Sequence, residues 1–145
     1  SDPLPSPFPN DNAARAANGG ALPPDLSLIT KNRNYGPNYL FALLTGYVDP
    51  PSGFELSPGM SYNKWFAGHQ IAMSAPLSED IVEYPDGTKA SIDQMAEDIT
   101  HFLHWAANPE LEERHSLGFQ VLIFLVLLTI LFWFVKRAVW RKIDH

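Results

Sequence analysis

The sequence predicts a mainly α, loop-rich domain carried on one C-terminal transmembrane helix. Three observations predict it. Residues 117–135 (LGFQVLIFLVLLTILFWFV) contain no charge and only Gln120 and Thr129 as polar interruptions. At about 1.5 Å per helical residue this run reaches about 28 Å, close to the ~30 Å hydrocarbon core of a bilayer, and no polar face can be drawn on it. Thirteen prolines and nine glycines in 145 residues imply many turns and few long regular elements in what precedes it. The only other strong periodicity, residues 92–106, is helical.

Taken in order, residues 1–10 (SDPLPSPFPN) have alternating prolines that forbid a helix, leaving a linker or a strap laid on a neighbouring surface. Asp11 is positioned to cap a short helix through Ala17, which Asn18-Gly19-Gly20 would stop. Pro23-Pro24 makes a turn, after which Asp25 can cap a helix carrying Leu26, Leu28 and Ile29. Pro37 suits the first turn of a helix over residues 38–45, ended by Gly46, with Tyr39, Leu40, Leu43 and Leu44 as its apolar face.

Residues 48–61 are turn-rich, and NKWFAGHQIAMSAPL after them shows no steady period, so it reads as an irregular packed segment. Residues 81–84 alternate, Pro85-Asp86-Gly87 turns, and residues 88–90 can return as a short hairpin. Ser91 and Gln94 have capping-box spacing. Ile92, Met95, Ala96, Ile99, Phe102, Leu103 and Ala106 then recur at helical intervals until Asn108-Pro109.

Charge orients the chain. Lys136, Arg137, Arg141 and Lys142 follow the apolar run, whereas all but one of the sixteen acidic residues precede it, the exception being Asp144. The positive-inside rule then puts residues 136–145 on the inner side as a cationic tail, 117–135 across the membrane, and 1–116 outside. Trp133 and Trp140 sit near the inner end, where indole rings favour the headgroup level. The acidic domain repels nucleic acid and attracts basic partners. With no cysteine, the chain has neither a disulfide nor a thiolate metal site. Glu97, His101 and His104 share helical spacing and are either a sparse metal site or a solvated polar face. No nucleophile elbow, phosphate-cradling glycine loop or zincin motif is present. Ser1 is not an initiator methionine, consistent with a processed chain or a piece of a larger one.

Four stretches in collinear order, ARAANGGALPPDLSLITKNR, YLFALLTGY, NKWFAGHQIAM and FLHWAANPE, followed by an anchor, resemble the C-terminal, larger part of the cytochrome c1 family. The resemblance implies a partial c-type cytochrome-like domain. Met73 matches the family's distal haem-iron ligand, and a soft thioether favours ferrous iron and raises the potential. Arg33 matches the arginine that meets a haem propionate, a carboxylate that a guanidinium can bind in bidentate fashion. Asn18, Ala21, Pro23, Pro24, Ile29, Tyr39, Leu43, Leu44, Phe66, Ile71 and Pro76 match positions that line the haem, and an apolar wall raises the potential further.

The family's C-x-x-C-H, which attaches the porphyrin and gives the proximal histidine, is absent. Ala72 stands where glycine is common, and Ser74-Ala75 where prolines are common. The expectation is therefore the C-terminal part of a split cytochrome c1. Its haem c would be shared with, and covalently attached to, a complementary fragment bearing C-x-x-C-H. The family implies cytochrome b, the Rieske iron–sulfur protein and cytochrome c as partners, with one-electron transfer from the Rieske protein to cytochrome c in ubiquinol–cytochrome c reductase. It also implies the mitochondrial inner membrane, domain in the intermembrane space, or a bacterial plasma membrane with a periplasmic domain. A haem-free assembly subunit of the same complex is the alternative.

Overall fold

The computed structural model describes residues 6–141. The first half of the proline run, Lys142 and Asp144 lie outside them. The chain forms two compact units, Ser1–Ala107 and Asn108–His145.

In the first unit, α1 (Asp11–Ala17) is capped by Asn10, whose Oδ1 accepts from the Ala13 N–H at 2.9 Å. The cap thus falls one residue before Asp11, which instead places its carboxylate in the first turn, where the helix dipole favours it. Asn18 ends α1 as expected, its Nδ2 donating to the Ala14 carbonyl at 2.7 Å. Asp25 does not cap a helix. Its Oδ1 accepts from both the N–H and the hydroxyl of Ser27, a local turn that competes with helix and holds the carboxyl below its usual range. Consequently α2 is only Ile29–Asn32, and Leu26 and Leu28 stay exposed.

Pro37 opens α3 (Pro37–Thr45) and Gly46 closes it. Of its apolar face Leu40 is buried while Tyr39, Leu43 and Leu44 are half-buried. Two-residue strands β1 (Ser61–Tyr62) and β2 (Gln70–Ile71) pair antiparallel, Ser61 opposite Ile71. The hairpin expected over residues 81–90 does not form a ladder. One bond, from the Asp80 N–H to the Ala90 carbonyl at 2.9 Å, closes the stretch, with a turn from Tyr84 to Gly87 inside it.

Ser91 caps α4 (Ile92–Ala107) by accepting from the Gln94 N–H, but the Gln94 side chain turns to Asp98, so the reciprocal half of the capping box is not made. Helices α2 and α3 both pack on α4. The buried face of α4 is Met95, Ala96, Thr100 and Ala107, mostly small side chains that let α3 approach closely. This stripe is narrower than the periodicity suggested, because Phe102 is 52% exposed and Ile99 is also on the surface. Buried Ile29, Leu40 and Met95 contribute about 1.5–3 kcal/mol each, the main apolar stabilisation of a core this small.

The second unit is one helix, α5 (Leu111–Trp140). It starts ahead of the uncharged run and continues past it without a break, spanning about 45 Å at ~1.5 Å per residue. By length and composition it can cross a membrane, and none of its residues is buried.

Candidate functional site

Irregular chain needs side chains to satisfy its backbone, and here one residue supplies them. Asn63 is fully buried, at 0% exposure. Its Nδ2 donates to the Leu43 carbonyl near the end of α3 at 2.8 Å, while its Oδ1 accepts from the Trp65 and Phe66 N–H groups at 3.0 and 3.3 Å. One amide thereby ties α3 to the loop that follows β1. The Asn63 N–H also donates to the His69 carbonyl at 3.0 Å, and the Lys64 N–H to the Gly46 carbonyl at 3.0 Å. Gly68 and His69 both adopt positive φ, 77° and 59°, which closes the 64–69 loop back toward β2. The Tyr62 and His69 rings stack at 5.7 Å over the strand pair.

Gly46 is required where it stands. A Cβ there would lie 2.6 Å from Trp65 Cδ1, 2.7 Å from the Ala42 carbonyl oxygen and 3.0 Å from Asn63 Oδ1. Its φ of −90° is open to any residue, so the demand comes from close approach rather than backbone strain.

Met73 follows β2 by two residues and is 41% exposed. The Tyr47 hydroxyl donates to its carbonyl at 3.2 Å, across 26 residues of sequence. Tyr47 is in turn fixed by an antiparallel bridge to Asn63. Burial raises the Tyr47 phenol above its ordinary value, and neighbouring Tyr39 adds to the shift, so the hydroxyl stays protonated at neutral pH.

Arg33, at the C-terminal cap of α2, opens onto a cavity of ≈ 650 Å³ that it lines with Asn34, Tyr35, Asn38, Tyr39, Ala42 and Trp65. That volume lies within the ~300–1,000 Å³ usual for small-molecule and cofactor sites. Among the described residues the Arg33 guanidinium has no hydrogen-bond or ion-pair partner.

The thirteen residues named from sequence are therefore distributed unevenly. Arg33 and Tyr39 share the cavity. Leu43 and Phe66 meet through Asn63, and Met73 hangs from Tyr47 beside buried Ile71. Ile29 is buried in α2, which packs on α4. Asn18 folds back on α1 and half-buried Ala21 donates its N–H to the Asn18 carbonyl. Pro23, Pro24 and Pro76 are exposed. No hydrogen bond among the described residues joins the 18–24 segment to the Met73 side. Glu97 and His101 border a second cavity of ≈ 300 Å³ with Pro37, Asn38, Phe41 and Thr100. Together with His104 they form no metal-binding group among the described residues.

Asn63, Tyr47 and Trp65 are not singled out by sequence reasoning, which marks Gly46 only as a helix end. An asparagine in a turn-rich stretch reads as a surface residue, and nothing local marks it as a buried clamp.

The family model described as the Cytochrome C1 family matches residues 1–143. The chain is 51% identical over its whole length to "Cytochrome c1, heme protein, mitochondrial" of Schizosaccharomyces pombe, covering 47% of that protein. Its identity to the Saccharomyces cerevisiae protein of the same name is 54%, over 99% of this chain and 47% of the relative. To "Cytochrome c1" of Rhodospirillum rubrum it is 48% identical, over 99% of this chain and 59% of the relative. The chain thus spans about half the length of the curated relatives it matches, and it belongs to the cytochrome c1 family.

Proposed function

We propose that this chain supplies the distal half of the haem pocket of a cytochrome c1 and its membrane anchor, with Met73 as the distal ligand. The observation that carries the reading is Met73. Its side chain stands exposed on a segment whose backbone is held by β2 on one side and by Tyr47 on the other, within a chain that matches the family from end to end. The residues present fit the group: a soft thioether, half-buried Leu43, Leu44 and Phe66 with buried Ile71, and a guanidinium that has no partner among the described residues. The chain has no cysteine, so thioether attachment and the proximal histidine would come from a complementary segment bearing C-x-x-C-H.

Haem bound here would supply a one-electron ferric/ferrous couple. Met73 would hold the metal through its sulfur and favour the reduced state. The apolar side chains exclude water, which disfavours the additional charge of the oxidised state. Arg33, which lines the cavity, would neutralise a carboxylate of the bound group. Within ubiquinol–cytochrome c reductase the electron would arrive from the Rieske protein and leave to cytochrome c, beside cytochrome b. The acidic domain would face the intermembrane space, or the periplasm in a bacterium. Residues 117–135 would cross the membrane, with the tail inside. Arg137 lies 5.1 Å over the Trp133 ring, a pairing suited to the inner headgroup level.

Replacing Met73 with Leu in the assembled complex tests the reading. The red charge-transfer band of methionine-ligated ferric haem should vanish, the potential should fall, and reduction by the Rieske centre should stop. Survival of the band would move the ligand to Met60, Met95 or another chain. On a denaturing gel, haem stain should follow the polypeptide that carries C-x-x-C-H, and a haem-free mature complex would favour an assembly role.

A further inference from the structure

A methionine ligand is a flexible side chain with three rotatable bonds, and its hold on a metal depends on how firmly its backbone is aimed. Nothing in the 72–78 stretch aims it by regular structure. Ile71 is the last ladder residue, Ala72 to Pro76 are exposed, and the next helix begins at Ile92. The one hydrogen bond on the Met73 backbone among the described residues comes from afar, from the Tyr47 hydroxyl at 3.2 Å.

We propose that Tyr47 is a positioning residue for Met73, fixing the peptide plane after it so that the sulfur is presented from one direction. This rests on the reading of Met73 as distal ligand. The Met73 carbonyl belongs to the peptide it shares with Ser74, so holding that oxygen restrains ψ of Met73 and with it the direction in which the side chain leaves the backbone. Tyr47 is itself anchored. Its backbone bridges Asn63, the neighbouring Gly46 carbonyl accepts from Lys64, and Asn63 is clamped to α3 and to the 65–66 backbone. The chain of contacts therefore runs from the helix core through Asn63 and Tyr47 to Met73. Tyr47 acts through the Met73 backbone, by the hydrogen bond from its hydroxyl to the Met73 carbonyl.

The test uses the assembled, haem-loaded complex with Tyr47→Phe, which deletes one oxygen and keeps the ring. Imidazole is titrated against ferric haem as a competitor for the methionine position, and the charge-transfer band and midpoint potential are read alongside. Loss of one neutral hydrogen bond should raise the ligand-off population, and so the imidazole affinity, about three- to tenfold. The band should weaken without vanishing, and the potential should fall at unchanged haem content. A 3-fluorotyrosine at position 47, nearly isosteric and a stronger donor, should move imidazole affinity the other way and covers the case in which Tyr47→Phe fails to assemble. Met73→Leu separates the two claims. Should it abolish the band while Tyr47→Phe binds imidazole like the wild type, Tyr47 has no positioning role and the ligand reading stands. Should the band persist in Met73→Leu, the ligand reading fails and the role of Tyr47 fails with it.

Discussion

Replacing Asn63 with Ala should loosen the whole 63–73 loop while leaving α4 intact. The substitution removes three hydrogen bonds at a site with no solvent access, orphaning the Trp65 and Phe66 N–H groups and leaving the Leu43 carbonyl with only the Gly46 N–H at 3.3 Å. A buried polar group left unsatisfied costs about 1–3 kcal/mol. Trp65 is largely exposed, so water can reach its N–H once the loop shifts, leaving two groups that bear most of the penalty. The expected loss is therefore about 2 kcal/mol, roughly thirtyfold in the local opening equilibrium.

Hydrogen exchange by mass spectrometry on the assembled complex reads this directly, comparing the peptide over residues 63–71 with one over α4. Protection in the loop should fall by about thirtyfold and in α4 by far less. Asn63→Asp sharpens the test, because Oδ1 can still accept from Trp65 and Phe66 while the second oxygen faces the Leu43 carbonyl where Nδ2 stood. Burial and that repulsion raise the folded carboxyl above its unfolded value, so the destabilisation is fully present above the folded pKa and is relieved progressively as pH falls from there to the unfolded one. A loop that exchanges less than about threefold faster in Asn63→Ala would refute the clamp.

Gly46→Ala should destabilise by about 1–3 kcal/mol, because the exposed Trp65 ring can swing aside but the Ala42 carbonyl is helix backbone and cannot; thermal unfolding followed by haem absorbance reads the loss. Protease added from the outer side should cut at Glu110–Arg114 and spare the tail, and protection of that segment would reverse the orientation. Electron transfer to cytochrome c should slow steeply with ionic strength, since acidic residues dominate the domain ahead of α5; a rate flat from low to high salt would exclude electrostatic docking.

Elements governed by local chemistry were legible in the sequence. The uncharged run within α5 is apolar on every side, so its helicity follows from composition, whereas the charged turns that extend the helix from Leu111 to Trp140 do not. Pro37 and Gly46 bracket α3, and Ser91 and Asn108 bracket α4, because proline geometry and side-chain caps act within a few residues. Where two local options compete, the reading went astray. Asp25 chose a Ser27 turn over a helix cap, and residues 81–90 closed with a single bond in place of a ladder. In both stretches the chain is exposed and little packing rewards regular structure.

The family resemblance supplied Met73 and Arg33, which periodicity and spacing left as an ordinary apolar residue and an ordinary surface charge. What holds them was decided only by tertiary structure. Asn63 reaches 20 residues back to Leu43, and Tyr47 reaches 26 residues forward to Met73. Such bonds leave no pattern along the chain, because their worth depends on burial, and burial exists only once α3, the strand pair and the loop have come together.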